Sequence, residues 1–408
     1  MIGVSAGCGG PFFRFDMKKG DDGMIYNDAL WDEIEPWMIE IRRTIHRHPE
    51  LGLETPNTAQ LIEGALDDLG VEHTRPIANG VKAVMGAHLG GEALLLRADM
   101  DALPILENND LPFKSEIEGR MHACGHDCHT AMLLGAARYL KAHESALTRP
   151  VVLMFQPAEE GPGGAVPMIE AGVLENPKVK EAAMVHVSSE LPQGVIGLRE
   201  GPAMGACDDF SLSFLGRGGH GSSPHVGIDA IYVAAAAVQA TQALVSREQD
   251  PFDPLVISFG TIRGGFRENV IADRVDLTGT IRSMTPATRA RAVKRFREVM
   301  ESVAATYGAT VELTMEPGYP PLVADMPWSH RVKDILESEI GAERIQQIDP
   351  TLGVEDFAFV AERVPGLCLN VGIVGDHFTT GLHSAGLIVD ERGLRSGAAG
   401  FAALALRS

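Results

Sequence analysis

The segment MHACGHDCHT (121–130) places three histidines, two cysteines and an aspartate within ten positions. Thiolate sulfur and neutral imidazole are the usual donors to zinc and its borderline neighbours. Leaving so many polar groups unpartnered in a core is costly, which favours metal binding over a purely structural cluster. Three other places bear on the same chemistry. RADMDALP (97–104) carries Asp99 and Asp101 off the end of an apolar strand, where a carboxylate can hold a cation or orient an imidazole. FQPAEEGPGG (155–164) sets Glu159 and Glu160 after another apolar strand and before a glycine-rich turn. Vicinal carboxylates in an extended loop point different ways. One can ligate a metal while the other takes a proton from water whose pKa a bound zinc lowers to roughly 7. The bland alternative is a solvated acidic loop, and the apolar strand before it argues against that. Finally, His186 closes the strand AAMVHV (182–187) and His383 sits in GLHSAGL (381–387). A single histidine is more often structural than ligating, so these two gain meaning only beside the other clusters.

The elements that must deliver these residues are short apolar runs alternating with helical patterns. Residues 28–47 place Leu30, Ile34, Trp37, Met38, Ile41 and Ile45 at helical spacing, and 57–69 repeat the pattern. Strands are predicted at 81–89, 93–99, 150–157, 182–187 and 367–373, with helices at 129–143, 164–172, 327–339 and 391–406. Continuous apolar strands separated by helices imply a mainly parallel sheet covered on both faces, an α/β domain. Such sheets bind ligands at the carboxyl ends of their strands, where the four clusters fall. Between 207 and 316 the pattern changes to strand 208–218, helix 231–247, strands 255–262 and 274–283, helix 286–306 and strand 310–316. That is the ferredoxin-like β-α-β-β-α-β order. The expected division is therefore a flexible extension over 1–27, with Met24 as a candidate start, a catalytic domain over 28–206 and 317–408, and an inserted α+β domain over 207–316.

The 408 residues exceed one ordinary core and suit two domains. A formal net charge of -20 excludes nucleic acid as a partner class, since phosphate binding needs a basic face. No apolar run approaches the roughly 20 residues that span a bilayer, so no membrane partner is expected. Five widely spaced cysteines in a chain of this length point to a reducing compartment and a cytoplasmic location rather than a disulfide framework.

With these residues in view, a family resemblance is plain. RADMDALP, MHACGHD-x-HT, FQPAEE, GRGGH-x-x-x-PH (216–225), GTIRGG-x-x-x-NVI (260–271), GTIRS (279–283) and G-x-EDFAF (353–359) occur in order. The chain resembles the amidohydrolase branch of the aminoacylase/carboxypeptidase metallohydrolases, with hippurate hydrolases, N-acyl-amino-acid amidohydrolases and auxin-conjugate hydrolases, from about residue 41 to the C-terminus. The resemblance implies two divalent transition metals (Mn, Zn, Co or Ni) held by Cys124, His126, Glu160, His186 and His383. It implies Glu159 as general base and Asp99 as a carboxylate orienting a ligand imidazole. The inserted domain becomes a lid and dimer contact, and His220 a stabiliser of the oxyanion, often in the partner subunit's site. Asn269 and Arg282 fall where relatives contact the substrate carboxylate or the oxyanion. The expected partners are a small-molecule amide and a second copy of the chain.

Departures from the family pattern cluster near the expected substrate. Cys128 stands where glycine is usual and would crowd the site, add a soft ligand or do nothing. Residues 266–268 are bulkier than in relatives, and HVSSEL (186–191) lacks the usual aromatic. The leading function is metal-dependent cleavage of an amide C–N bond in an N-acyl amino acid or a related, including aromatic, amide. One alternative is hydrolytic deamination of an aromatic substrate at the same metals, which releases ammonia instead of two organic fragments. Another is a metal- or ligand-binding homologue without catalysis, against which Glu159 argues.

Overall fold

The computed structural model describes residues 23–376 and 380–408. Its main element is an eight-stranded sheet, with strands in the spatial order His73–Ile77, Gly80–Met85, Val151–Gln156, Ala93–Asp99, Val179–Pro192, Gly366–Val374, Ile196–Leu198 and Ile345–Gln347. The four central strands run parallel and the flanks bring in antiparallel neighbours. The reason those central strands read as unbroken apolar runs is visible in their packing. Leu94, Leu96 and Ala98 enter one core and Ala93 and Leu95 the other, so both faces are dry. Helices Trp31–Arg47, His126–Ala142 and Leu394–Arg407 cover the first face, and the short helices Ala165–Glu170 and Ala358–Ala361 the second.

A second, antiparallel sheet has the order Leu255–Gly264, Arg274–Ser283, Ala206–Leu215 and Thr310–Pro317. Helices Ala230–Ala243 and Pro286–Thr306 pack on it around Phe210, Phe214 and Phe296, a core of its own. The spatial order of strands, second-third-first-fourth, is the ferredoxin-like arrangement expected from the motif order.

Three local expectations are corrected. Packed structure begins before residue 28: Ile25–Asn27 form a short 3-10 turn and Ile25 and Tyr26 are buried, their apolar side chains completing the first core. The rest of the expected extension, 1–22, lies outside the described residues. The strand expected over 81–89 stops at Met85, because Gly86 turns the chain with φ 64° into a 3-10 turn. The closing helix starts at Leu394, after a 3-10 turn over Glu391–Gly393.

Candidate metal centre

Strand Ala93–Asp99 has Val151–Gln156 on one side and Val179–Pro192 on the other, so the chain switches direction across the sheet at this point. That switch point opens a crevice at the carboxyl ends. Cys124 and His126 lie on the loop and first turn of the helix that crosses over from it. Gly125 between them has φ 86°, and a Cβ there would meet Val187 Cγ2 at 2.4 Å, so only glycine lets this loop close on the strand carrying His186. Gly164 ends the Glu159–Glu160 loop equally tightly, since its Cβ would lie 1.8 Å from the Pro157 carbonyl oxygen. Two residues with side chains hold left-handed backbone beside the cluster, Ala158 at φ 62° and His383 at φ 59°. Such conformations cost about 1–3 kcal/mol each and persist where surrounding contacts impose them. The His383 amide donating to the Ala123 carbonyl at 2.7 Å is one such contact.

The fold brings Cys124, His126, Glu159, Glu160, His186 and His383 to one place. His383 Nε2 lies 3.2 Å from both Cys124 Sγ and Glu160 Oε1, and His186 Nε2 3.5 Å from the same sulfur. His126 Nε2 is 3.8 Å from a Glu159 oxygen and 4.0 Å from Glu160 Oε1. Cys124, His126 and His186 offer donor atoms within 4.8 Å of one another, and so do Cys124, Glu160 and His383. Both ring nitrogens of His126 and one oxygen of Glu160 are buried with no hydrogen-bond partner. Buried polar atoms are ordinarily satisfied, so a converging set of orphans built from sulfur, imidazole and carboxylate fits a borderline divalent cation.

Contacts behind the donors fix their orientation. His186 Nδ1 lies 2.7 Å from the Val187 carbonyl, which leaves Nε2 to face the cluster. Asp101 accepts the main-chain N–H groups of Glu159 and Glu160 at 2.9 and 3.2 Å, locking the acidic loop. Asp99 was expected to orient a ligand imidazole, and here the geometry differs. Its carboxylate accepts from His129 Nδ1 at 2.5 Å, and the carboxylate nearer His126 Nδ1 is Asp101, at 3.5 Å against 3.8 Å. His129 Nε2 then accepts the Val187 N–H at 2.8 Å, so this imidazole ties the helix to the His186 strand. Burial pushes His129 down to about 4, keeping it neutral in that role. Asp99 is fully buried and is not among the residues lining the cavity that holds Cys124, Glu159, Glu160, His186 and His383. The sequence reading assigned no role to His129 or Tyr319. Helical spacing from His126 hinted at the first, while nothing local marked the second, whose hydroxyl donates to the Glu159 carbonyl at 2.8 Å.

The remaining candidates divide. Arg282 lines the same cavity as the cluster, donating to the Leu352 carbonyl at 3.0 Å. His220 and Asn269 do not: they line a separate open depression on the inserted unit, with His220 exposed and bonded to Ser222. Cys128 sits in the apolar core and belongs to none of the ligand groups found among the described residues.

Burial opposes charge on Glu159, and the nearby Glu355 carboxylate adds to this, holding its carboxyl well above the usual range. Burial likewise pushes the Cys124 thiol up. Burial works against charge on His126 too, but Asp99 and Cys124 outweigh it and hold the imidazolium well above its ordinary range. A cation taken up here must therefore displace protons from Cys124 and His126. Zinc affinity is expected to weaken by about tenfold or more per pH unit as pH falls from 8 to 6. Titration calorimetry in buffers of different ionisation enthalpy checks this, and zero proton release would refute it.

Comparison with known proteins agrees with the geometry. The model of Peptidase family M20/M25/M40 matches residues 95–407. Thermostable carboxypeptidase 1 of Saccharolobus solfataricus is 41% identical over 92% of this chain and 96% of its own length. IAA-amino acid hydrolase ILR1-like 4 of Arabidopsis thaliana is 41% identical over 83% of this chain and 77% of its own. The crystal structure of Bacillus subtilis YXEP protein, described as a dinuclear metal binding peptidase, superposes with a TM-score of 0.80 at 31% identity, covering 92% of this chain and 98% of that one. The chain belongs to Peptidase family M20/M25/M40 and is a metal-dependent hydrolase.

Proposed function

We propose that this protein hydrolyses the amide bond of N-acyl amino acids, with Glu159 moving the proton. The observation that carries the reading is a buried carboxyl of raised proton affinity beside five converging metal donors, in a cavity of about 460 Å³. That volume suits a small ligand. Cys124, His126, Glu160, His186 and His383 would hold two ions, and a thiolate among them favours Zn, Mn, Co or Ni over Mg or Ca. Bound there, such ions supply Lewis acidity and make water easier to deprotonate. Glu159 accepts the water proton and returns it to the departing nitrogen. Arg282 grips the substrate carboxylate through the guanidinium nitrogens it keeps free of the Leu352 carbonyl. The buried free thiols of Cys124, Cys128 and Cys368 support a cytoplasmic, reducing setting. Hippurate and indole-acetyl amino acids, incubated with each metal separately, test the reaction. Release of a carboxylic acid and an amino acid supports it. Release of ammonia from an aromatic substrate would mark a deaminase instead, and metal binding without turnover a binding protein.

The position of His220 and Asn269, outside the cavity of their own chain, supports a homodimer in which each subunit completes the other's site. Mixing two inactive proteins distinguishes the arrangements. One bears His220→Ala and the other Glu159→Gln. Shared sites restore roughly a quarter of wild-type activity in statistically mixed dimers. A mixture as inactive as its parts would show that His220 acts only within its own subunit.

A further inference from the structure

The metal-lined cavity holds a second guanidinium that the reaction above does not use. Arg199 follows strand Ile196–Leu198, lines the cavity beside Ser188, Ser189 and Ile348, and is half-buried. Its Nε donates to the Pro202 carbonyl at 3.2 Å, and both terminal nitrogens have no acceptor among the described residues. Five other poorly exposed arginines, Arg42, Arg97, Arg149, Arg289 and Arg395, each face a carboxylate at 2.5–2.8 Å; half-buried Arg138 instead stacks on the Trp37 ring. Among the described residues, no carboxylate lies within 4.0 Å of the Arg199 or Arg282 guanidinium. Glu190 and Asp349 line the same cavity, but both are exposed and neither pairs with these arginines. Two half-buried cations lining one cavity, neither in contact with a carboxylate among the described residues, can each take up an anionic group, and the planar fork of each matches a carboxylate.

We propose that Arg199 and Arg282 form a two-point grip, so that the preferred substrate is an N-acyl amino acid bearing a second carboxylate. The inference rests on the amide-hydrolase reading above. It makes this chain a dicarboxylate-selective enzyme, with Arg282 on one carboxylate and Arg199 on the other.

Isosteric pairs isolate the second charge. N-acetyl-glutamate against N-acetyl-glutamine places it on the amino-acid side, and N-succinyl-alanine against N-succinamoyl-alanine on the acyl side. In at least one pair the charged member is expected to have a kcat/KM tenfold or more higher. Arg199→Gln should bring that ratio close to one, and Arg199→Lys should recover part of it. A metal content and thermal midpoint equal to wild type would confirm that the variants are folded. The same pairs, bound to the Glu159→Gln protein in calorimetry, read the grip even where the amide is never cleaved. Absence of cleavage with a retained preference for the charged members would therefore refute the hydrolase reading alone. Equal affinities in both pairs, or a preference that survives Arg199→Gln, would overturn the grip.

Discussion

Glu159→Gln lowers kcat/KM by about 10²–10⁴-fold at neutral pH while metal content stays that of wild type. The substitution keeps the shape of the side chain and removes only its capacity to take a proton. It leaves the two main-chain contacts of the residue intact, since its amide still reaches Asp101 and its carbonyl still accepts from Tyr319. Folding and metal uptake should therefore be spared. Stopped-time assays with parallel elemental analysis read both quantities, and a variant with wild-type turnover would remove Glu159 from the reaction. A variant that loses metal as well would point to a ligand role, which the 3.8 Å approach of Glu159 to His126 makes worth measuring.

Arg97→Met is expected to destabilise the protein by roughly 3–5 kcal/mol, seen as a lower urea midpoint. Arg97 is fully buried and touches Asp99 at 2.5 Å, Asp356 at 2.8 Å and Glu355 at 2.9 Å, with Nε donating to Gln156 at 3.0 Å. Burial works against its charge, but Glu355, Asp99 and Asp356 outweigh that and hold the guanidinium permanently protonated. Methionine fills much of the same volume and leaves three carboxylates facing one another without a cation. Asp356 also accepts the amides of Gly164 and Ala165 at 2.9 and 3.0 Å, so the loop bearing Glu159 and Glu160 should loosen with it. A midpoint equal to wild type would mean the network is dispensable for stability.

The central sheet was legible because its strands are buried on both faces, which writes an unbroken apolar run into the chain. The candidate site residues were legible for a different reason. Cys124 with His126, and Glu159 with Glu160, are local clusters whose residue types have few other joint uses. The peripheral strands were not legible. His73–Ile77 contains a proline and mostly polar residues on a solvated flank, and Ile196–Leu198 and Ile345–Gln347 are too short for any period to register. Nor could the sequence distribute the second tier of contacts. His129 takes its two partners from Asp99 and Val187, which lie 30 and 58 residues away, so no local spacing marks the imidazole as a tie between helix and strand. The same limit applies to Arg199, whose place in the cavity, with no carboxylate in contact among the described residues, is visible only once the strands around it are assembled.

The most direct test is a crystal grown with manganese or zinc and recorded on both sides of the metal's absorption edge. Anomalous peaks are expected among Cys124, His126, Glu160, His186 and His383, at about 2.0–2.3 Å from sulfur, nitrogen and oxygen for zinc. Peaks elsewhere, or none in a crystal whose protein is active, would contradict the account.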